Sequence, residues 1–321
     1  MSQGKVRIYG AGGLGNNIAK RYLGQKDVAG FATPLVSFVD TSRSNLDSTI
    51  PAEAIFVLEG TDGSGKVRRE NHQAIADSIK QILLAQPPED FNIVVFSASG
   101  GSGSVIGPLI VRELLERGKA VVVVSAGSAE STITAQNSLN TLKSLSAISN
   151  GIKVPVVTFY RHSGEGTTRS TIDSQLHFAI TCLRYLASRQ NAELDTMDVL
   201  HWLRFNKSTS VEAQLALLDI YSDAEKVKEI LDPIAIASLY ADRDQPQLQT
   251  PVPEYSCAGF FQTPVEGVSE LHYVISTQFL GQSYDTLNRT VEGFVERREG
   301  RASAKAIVTE KDQTTNDFLV L

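Results

Sequence analysis

The feature that most constrains the fold of this chain is an alternation of short strand-like runs with segments of helical periodicity. Apolar, mostly β-branched runs suited to strands lie at residues 5–9, 35–39, 55–58, 93–96, 121–124 and 154–160. After the third run, Ile75, Ile79 and Ile82 recur at a helical spacing and predict a helix over about 68–84. Strands that alternate with helices predict an α/β fold with a mostly parallel sheet covered on both faces. Such sheets bind ligands at the carboxyl ends of their strands.

Composition narrows the class of protein. The net charge of −6 and the pI near 5.5 argue against a nucleic-acid binder, which usually carries a basic face. No apolar run approaches the ~20 residues needed to span a bilayer, and no signal-peptide profile precedes the first strand. The chain is therefore expected to be soluble and intracellular. Cys182 and Cys257 are expected to be small buried hydrophobes, and the five histidines show no metal-ligand spacing.

A first glycine loop follows the first strand. Gly10, Gly12 and Gly15 form a G-x-G-x-x-G pattern that opens a helix, and Asp40 ends the next strand, where a dinucleotide fold places its ribose-binding acid. Glycines let the backbone approach a phosphate, and a helix N-terminus offers free N–H groups. The motif alone fits a NAD-type Rossmann domain and other phosphate binders equally; a purely structural tight turn is the less favoured explanation.

A second loop, from Gly100 to Ser104, separates these alternatives. It again lies between a strand and a helix of the same sheet, with serines among its glycines. Two helix N-termini that converge on one crevice suit a polyphosphate. Pro108 is expected in the first turn of the following helix, where its missing N–H costs nothing. The loop from Gly60 to Gly65 adds backbone donors nearby, while no G-x-x-x-x-G-K-[ST] motif of a P-loop is present.

These motifs resemble the nucleotide loops of the tubulin/FtsZ superfamily, in particular the bacteriophage tubulins of the PhuZ type. The resemblance rests on the segments 11–17, 40–41, 99–109, 129–132 and 202–205. It covers residues 5–206 well and the C-terminal third loosely. It implies a GTP-binding domain over 1–170, a central helix and catalytic loop over 171–206, and an α+β domain over 207–305 that ends in a long helix. A C-terminal tail over 306–321 follows.

The family's nucleotide site carries over residue by residue. The resemblance places near GTP the residues Ala11, Gly12, Gly13, Asn16, Asn17, Asp40, Thr61, Gly63, Arg68, Ser99, Gly100, Gly101, Ser102, Gly103, Ser104, Glu130 and Asp173. In it the glycine–serine loop wraps the phosphates, Glu130 approaches the ribose, and Asp173 accepts from the guanine edge. Arg68 is a candidate cation for the terminal phosphate, although a plain surface arginine fits the sequence equally well.

The residues assigned to hydrolysis lie after the central helix. In the resemblance, Asp195 and Asp198 reach the nucleotide of the next subunit, where they orient the water that attacks the γ-phosphate. Spacing alone favours another role, in which the two acids cap and lead a helix that begins near Thr196. The match of the surrounding loops favours catalysis.

Three positions depart from the family pattern: Ser99 replaces a glycine, Glu193 stands where Asn is frequent, and Thr158 stands where an Asn helps to read the base. Triphosphate binding is therefore a firmer expectation than selectivity for guanine.

The resemblance implies a GTPase with GTP/GDP and Mg²⁺ as ligands, activated when subunits assemble head to tail. It further implies dynamic filaments that position phage DNA or its compartment in the cytoplasm of an infected bacterium, and a tail that contacts the next subunit. Direct nucleic-acid and membrane binding are not expected. Two alternatives remain: a NAD(P)-dependent Rossmann oxidoreductase, and a nucleotide-binding structural protein that assembles but hydrolyses little.

Overall fold

The computed structural model describes residues 3–164, 166–263 and 267–300, with side chains as far as residue 294. The strands are β1 Lys5–Ala11, β2 Thr33–Asp40, β3 Ile55–Val57, β4 Phe91–Ser97, β5 Ala120–Ser128, β6 Val156–Ser163, β7 Leu215–Tyr221, β8 Ala235–Tyr240, β9 Tyr255–Phe260 and β10 Glu270–Ser276. The α-helices are α1 Gly12–Lys20, α2 His72–Ala85, α3 Gly103–Glu116, α4 Thr132–Ile152, α5 Arg169–Leu186, α6 Thr196–Leu203, α7 Ala224–Val227 and α8 Leu280–Gly300.

All ten strands belong to one sheet, in the order β3-β2-β1-β4-β5-β6-β7-β10-β8-β9. Every neighbouring pair from β3 to β7 is parallel, and so is the pair β8–β9. Only β10 runs antiparallel, to both of its neighbours. The predicted mostly parallel sheet is thus confirmed, and it continues from the N-terminal half of the chain into the C-terminal half.

Helices cover both faces of the sheet, which explains the continuous apolar runs of its central strands. Along β4, Ile93 and Val95 belong to one core cluster, whereas Val94 and Phe96 belong to the other. Helices α1, α5 and α6 contribute to the first cluster, and α2, α3, α4 and α8 to the second. Leu287 of α8 is fully buried there and joins the C-terminal helix to the core of the N-terminal half.

Several predicted boundaries differ from the structure. Helix α2 begins at His72, four residues later than expected, and the central helix α5 spans Arg169–Leu186, so it begins two residues before the expected boundary at 171. Pro108 lies in the second turn of α3, not in the first, so its missing N–H does remove one helical hydrogen bond. The predicted last helix is confirmed as α8, and the expected tail over 306–321 lies outside the described residues.

Candidate functional site

A cleft of about 680 Å³ opens at the carboxyl ends of β1, β2, β4, β5 and β6. We call it the phosphate cleft. The predicted residues that line it are Ala11, Gly13, Asn17, Asp40, Gly63, Ser99, Gly100, Gly101, Ser102, Gly103 and Asp173. Gly12, Asn16, Thr61, Ser104 and Glu130 are not among its lining residues, and each of them contacts residues of the loops or strand ends around it.

The two glycine loops meet inside this cleft. Gly12 begins α1 with φ of +71°, a conformation that favours glycine, and a Cβ built on it would lie 2.7 Å from the backbone N of Gly103. A Cβ on Gly103, the first residue of α3, would lie 2.6 Å from the carbonyl O of Ala11. Neither position has room for a side chain. The N-termini of α1 and α3 therefore converge, as expected for a site that binds several phosphate oxygens.

Hydroxyl groups join the loops to one another. Ser102 Oγ shares a hydrogen bond of 2.5 Å with Thr41 Oγ1 and lies 3.0 Å from Ser64 Oγ. Ser104 Oγ donates back to the carbonyl of Gly100 at 2.7 Å, so this hydroxyl shapes the loop rather than facing the cleft. Thr61 Oγ1 likewise donates to the carbonyl of Thr41, at 2.8 Å. These bonds connect the segment after β2, the loop from Gly60 to Gly65 and the loop from Gly100 to Ser104.

Asp40 is the acid that lies deepest among the phosphate loops. Asn16 Nδ2 donates to its Oδ2 at 3.0 Å, and the backbone N of Thr41 donates to Oδ1 at 2.8 Å. Burial raises the pKa of this carboxyl above its usual range, while those hydrogen bonds partly offset the shift. Asn16 Oδ1 is buried and lacks a hydrogen-bond partner. Asp40 and the Oδ1 atom of Asn16 thus provide oxygen acceptors next to the phosphate loops.

The opposite rim carries groups suited to a nucleoside. Glu130 forms an ion pair with Arg169 and accepts from Ser163 Oγ at 3.1 Å, and both partners line the cleft. The hydrogen bond from Arg169 lowers the pKa of the Glu130 carboxyl. Asp173 lines the cleft one helical turn further along α5. Thr158 is not at this rim: β6 continues to Ser163, and Thr158 is fully buried beside Ser125.

Arg68 lies outside the phosphate cleft. Its guanidinium donates to the carbonyl O of Ser104 at 3.2 Å and to the carbonyl O of Asn137 at 3.4 Å, and it lines a separate cavity between α3 and α4. The lysine two positions earlier, Lys66, lines the cleft instead. The structure thus places the Arg68 side chain behind the glycine–serine loop, where it contacts the backbone of Ser104, and not in the phosphate cleft.

The acid pair, Asp195 and Asp198, lies at the other end of the sheet. Both line a cavity of about 1070 Å³ that also contains Lys5, Phe91 and Ala120, the first residues of β1, β4 and β5. The phosphate cleft instead contains the last residues of those strands. Because β5 has nine residues and a strand rises about 3.3 Å per residue, the two sites are separated by roughly 26 Å. One subunit cannot bring its own acid pair to its own phosphate cleft.

The structural role predicted for the acid pair is also present. Asp195 is the N-cap of α6, and its Oδ1 accepts from the backbone N of Met197 at 2.7 Å and of Asp198 at 2.9 Å. Asp198 accepts in return from the backbone N of Asp195 at 3.0 Å, which completes a capping box. Capping therefore fixes both carboxylates on an exposed helix start next to Met197, which is half exposed.

Three contributors were missed from the sequence: Lys66, Asn137 and Arg169. Asn137 of α4 donates its Nδ2 to the carbonyl O of Lys66 at 2.9 Å and of Ser99 at 3.2 Å, and thereby anchors two loops. No local pattern marks Asn137, because its partners are distant in the chain. The charge of Lys66 at the end of a glycine loop was a usable signal, as was Arg169 at the start of the central helix.

Comparisons with known proteins agree with this architecture. Residues 5–154 match the family model described as the GTPase domain of the tubulin/FtsZ family, and residues 194–278 match that of the C-terminal domain of phage tubulin-like proteins. A phage tubulin-like protein of Pseudomonas phage PhiPA3 is 32% identical over 323 residues, covering 100% of both chains. One of Pseudomonas phage phiKZ is also 32% identical and covers 98% of this chain and 95% of its own length.

A solved structure, described as a protofilament of TubZ from bacteriophage PhiKZ, superposes with a TM-score of 0.89 at 29% identity. The match covers 98% of this chain and 99% of that one. These findings do not support the alternative of a NAD(P)-dependent oxidoreductase. None of the helices among the described residues combines the length and the hydropathy of a transmembrane span.

Proposed function

Because the chain belongs to the phage tubulin-like proteins of the tubulin/FtsZ family, we propose that it is a GTPase that polymerises head to tail. In this proposal each subunit binds GTP in its phosphate cleft. The acid pair of the next subunit then completes the hydrolytic site.

The separation of the acid pair from the phosphate cleft supports this proposal more than any other observation. They lie at opposite ends of the same parallel strands, so a contact between two copies can join the acid pair of one to the cleft of the other. Such a contact is heterologous, because each subunit uses two different surfaces, and repetition of it produces a filament. The related PhiKZ protein, described as a protofilament, is consistent with that geometry.

The phosphate cleft offers separate groups for each part of GTP. Backbone N–H groups at the starts of α1 and α3 would bind the phosphates. Glu130 and Asn17 would lie beside the ribose. Asp173 would accept from guanine N1 and the guanine amino group together, which adenine does not offer.

Mg²⁺ is the expected counter-ion of the polyphosphate, and the residues present fit it. Asp40 supplies a carboxylate among the phosphate loops, and the unpartnered Oδ1 of Asn16 is a further oxygen acceptor beside it. Oxygen ligands of this kind, together with water and phosphate, are what Mg²⁺ prefers. When bound, the ion would neutralise charge on the phosphate oxygens.

The carboxylates of the acid pair would orient and polarise the attacking water. Phosphoryl transfer depends mainly on positioning and on electrostatic stabilisation, so two fixed acceptors beside the γ-phosphate can suffice. The capping box already fixes both carboxylates relative to α6. Hydrolysis would then weaken the contact between subunits and give dynamic filaments.

We propose the same cellular role that the resemblance implies. The filaments would position phage DNA or its compartment in the cytoplasm of the infected bacterium. The C-terminal tail, which lies outside the described residues, would contact the next subunit.

Two substitutions of Asp195 separate catalysis from capping. Serine is also a good N-cap, so Asp195→Ser should keep α6 intact, whereas Asp195→Ala removes the cap at a cost of about 1 kcal/mol. Both remove the carboxylate. We expect wild type with GTP and Mg²⁺ to show light scattering that rises and then decays as phosphate is released. For both variants we expect scattering that persists and phosphate release at least ~100-fold slower, in line with the loss of a positioned catalytic group.

The pattern of outcomes distinguishes the alternatives. If Asp195→Ser hydrolyses GTP at the wild-type rate and only Asp195→Ala hydrolyses it more slowly, Asp195 acts only as a helix cap and not in catalysis. Polymer without phosphate release in wild type would favour a structural nucleotide-binding protein. Absence of any GTP-dependent polymer in wild type would refute the filament proposal.

A further inference from the structure

Lys66 has an unusual place in the phosphate cleft. It follows Gly63, Ser64 and Gly65, and all four residues line the cleft. The other cation there, Arg169, is paired with Glu130. Among the described residues, Lys66 is therefore the one cation of the cleft that has no carboxylate partner.

The backbone of Lys66 lies against the glycine–serine loop. A Cβ built on Gly101 would come within 3.1 Å of the N and Cα of Lys66, so the two loops touch at this point. The carbonyl of Lys66 is held by Asn137 Nδ2 at 2.9 Å, and the same amide reaches the carbonyl of Ser99. This position is therefore fixed relative to the groups that would bind phosphate.

Lys66 has a backbone conformation that residues with a side chain rarely adopt, shared among the described residues by Lys153, Arg189 and Glu193. Its φ is +66°, in the left-handed region that favours glycine and is costly for a residue with a Cβ. Glycine occupies positions 63 and 65 of the same loop with positive φ, at 76° and 48°. A lysine held in such a conformation beside a binding site is the kind of outlier that points to a role.

The charge of Lys66 affects the carboxyl group of Glu130 on the opposite rim of the cleft. The pKa of the Glu130 carboxyl is lowered chiefly by its hydrogen bond with Arg169, and the ammonium of Lys66 lowers it further. Glu130 belongs to the opposite rim, where it bonds to Ser163 and Arg169. A flexible four-carbon stem lets this ammonium reach phosphates bound on Gly100, Gly101 and Ser102.

From these observations we propose that Lys66 determines specificity for the triphosphate: its ammonium binds the outer phosphates and favours GTP over GDP. This inference rests on the proposed function. A nucleoside triphosphate carries more negative charge than the diphosphate, so a single free cation contributes more to binding of the triphosphate. The side chain thus supplies the cation for which Arg68 was one candidate in the sequence.

The test is the affinity for GTP and for GDP, measured by equilibrium dialysis below the concentration at which the protein assembles. We expect Lys66→Ala to weaken GTP binding about tenfold or more, the loss of one charge-assisted hydrogen bond, and GDP binding by less than about threefold. Lys66→Arg should stay within about threefold of wild type for both. Lys80→Ala, which removes an exposed lysine on α2, is the matched control and should change neither affinity.

A further variant excludes misfolding as the cause. Lys66→Gly removes the ammonium and relieves the left-handed conformation, so its thermal midpoint without nucleotide should equal or exceed that of wild type. It should nevertheless lose GTP preference as Lys66→Ala does. Equal losses for GTP and GDP, or unchanged GTP affinity, would overturn the inference while wild type still binds GTP. A wild type that binds no GTP would overturn the proposed function itself.

Discussion

At the scale of single residues, Asp40 is a buried carboxyl group in the phosphate cleft, and burial disfavours its charged form. Its carboxyl is 4% exposed and accepts hydrogen bonds from Asn16 and Thr41. Burial nonetheless dominates and raises its pKa, since the charged form loses more hydration than the neutral form.

This leads to a prediction about pH. Because the folded-state pKa of Asp40 lies above the unfolded value of about 3.9, its contribution to stability is present below the unfolded pKa and is lost as pH rises through the folded pKa. Asparagine does not ionise, so Asp40→Asn should not lose stability as the pH rises. We expect the nucleotide-free variant to melt at a higher temperature than wild type at pH 8, with a difference that shrinks as the pH falls through the folded-state pKa towards about 3.9.

Thermal unfolding followed by circular dichroism at several pH values tests this prediction. Wild type and variant should be compared in the same buffers without nucleotide or Mg²⁺. A variant that melts below wild type by the same amount at every pH would show that the hydrogen bonds to Asp40, rather than its charge, control stability at this site.

The position of a residue is easiest to predict from the sequence where a motif fixes the backbone. Gly12 and Gly103 were assigned from the glycine patterns, and the loops do converge at these two positions. Prediction failed for Thr158, because the apolar run gave no sign that β6 continues as far as Ser163. It also chose Arg68 over Lys66, since sequence alone cannot show on which side of a loop a side chain lies.

At the scale of helices and loops, Arg68 compensates for a proline. Pro108 has no N–H, so the carbonyl of Ser104, four residues earlier in α3, loses its helical donor. The guanidinium of Arg68 donates to that carbonyl at 3.2 Å, and it also reaches Ser144 Oγ of α4 at the same distance. Ser104 is fully buried in the presence of the Arg68 side chain, so its carbonyl depends on this donor.

Removal of the guanidinium should therefore be costly only while the proline is present. We expect Arg68→Ala to lower the free energy of unfolding by about 1–3 kcal/mol, the cost of an unsatisfied buried acceptor. In a Pro108→Ala background, the new N–H can donate to Ser104, and the cost of Arg68→Ala should fall. Urea unfolding of the two single variants and the double variant measures this coupling.

Arg69→Ala is the matched control, because Arg69 is an exposed neighbouring arginine. Its effect should stay within about 0.5 kcal/mol. An Arg68→Ala cost that is the same with and without Pro108 would mean that the two residues act independently.

The sequence predicted elements best where the periodic pattern is long. The helical spacing of Ile75, Ile79 and Ile82 is confirmed by α2, in which all three side chains are buried. The start of α2 was placed too early, because Arg68 and its neighbours form turns that join the phosphate loops to α4. Such long-range contacts leave no periodic trace in the local sequence.

At the scale of the whole molecule, the parallel sheet separates two sets of candidate site residues. It places the phosphate cleft at the carboxyl ends of its strands and the acid pair at their amino ends. The sequence indicated both sets of residues through the family resemblance. Their separation within one subunit became visible only in the structure, because it depends on the order and direction of all the central strands.

Whether hydrolysis requires two subunits can be measured directly. The quantity to measure is the rate of phosphate release per subunit, at saturating GTP and over a range of protein concentrations. We predict a rate per subunit that is negligible at low concentration and rises steeply where light scattering begins, because each site is completed by a neighbour. A rate per subunit that is constant across the whole range, including concentrations without polymer, would contradict the account.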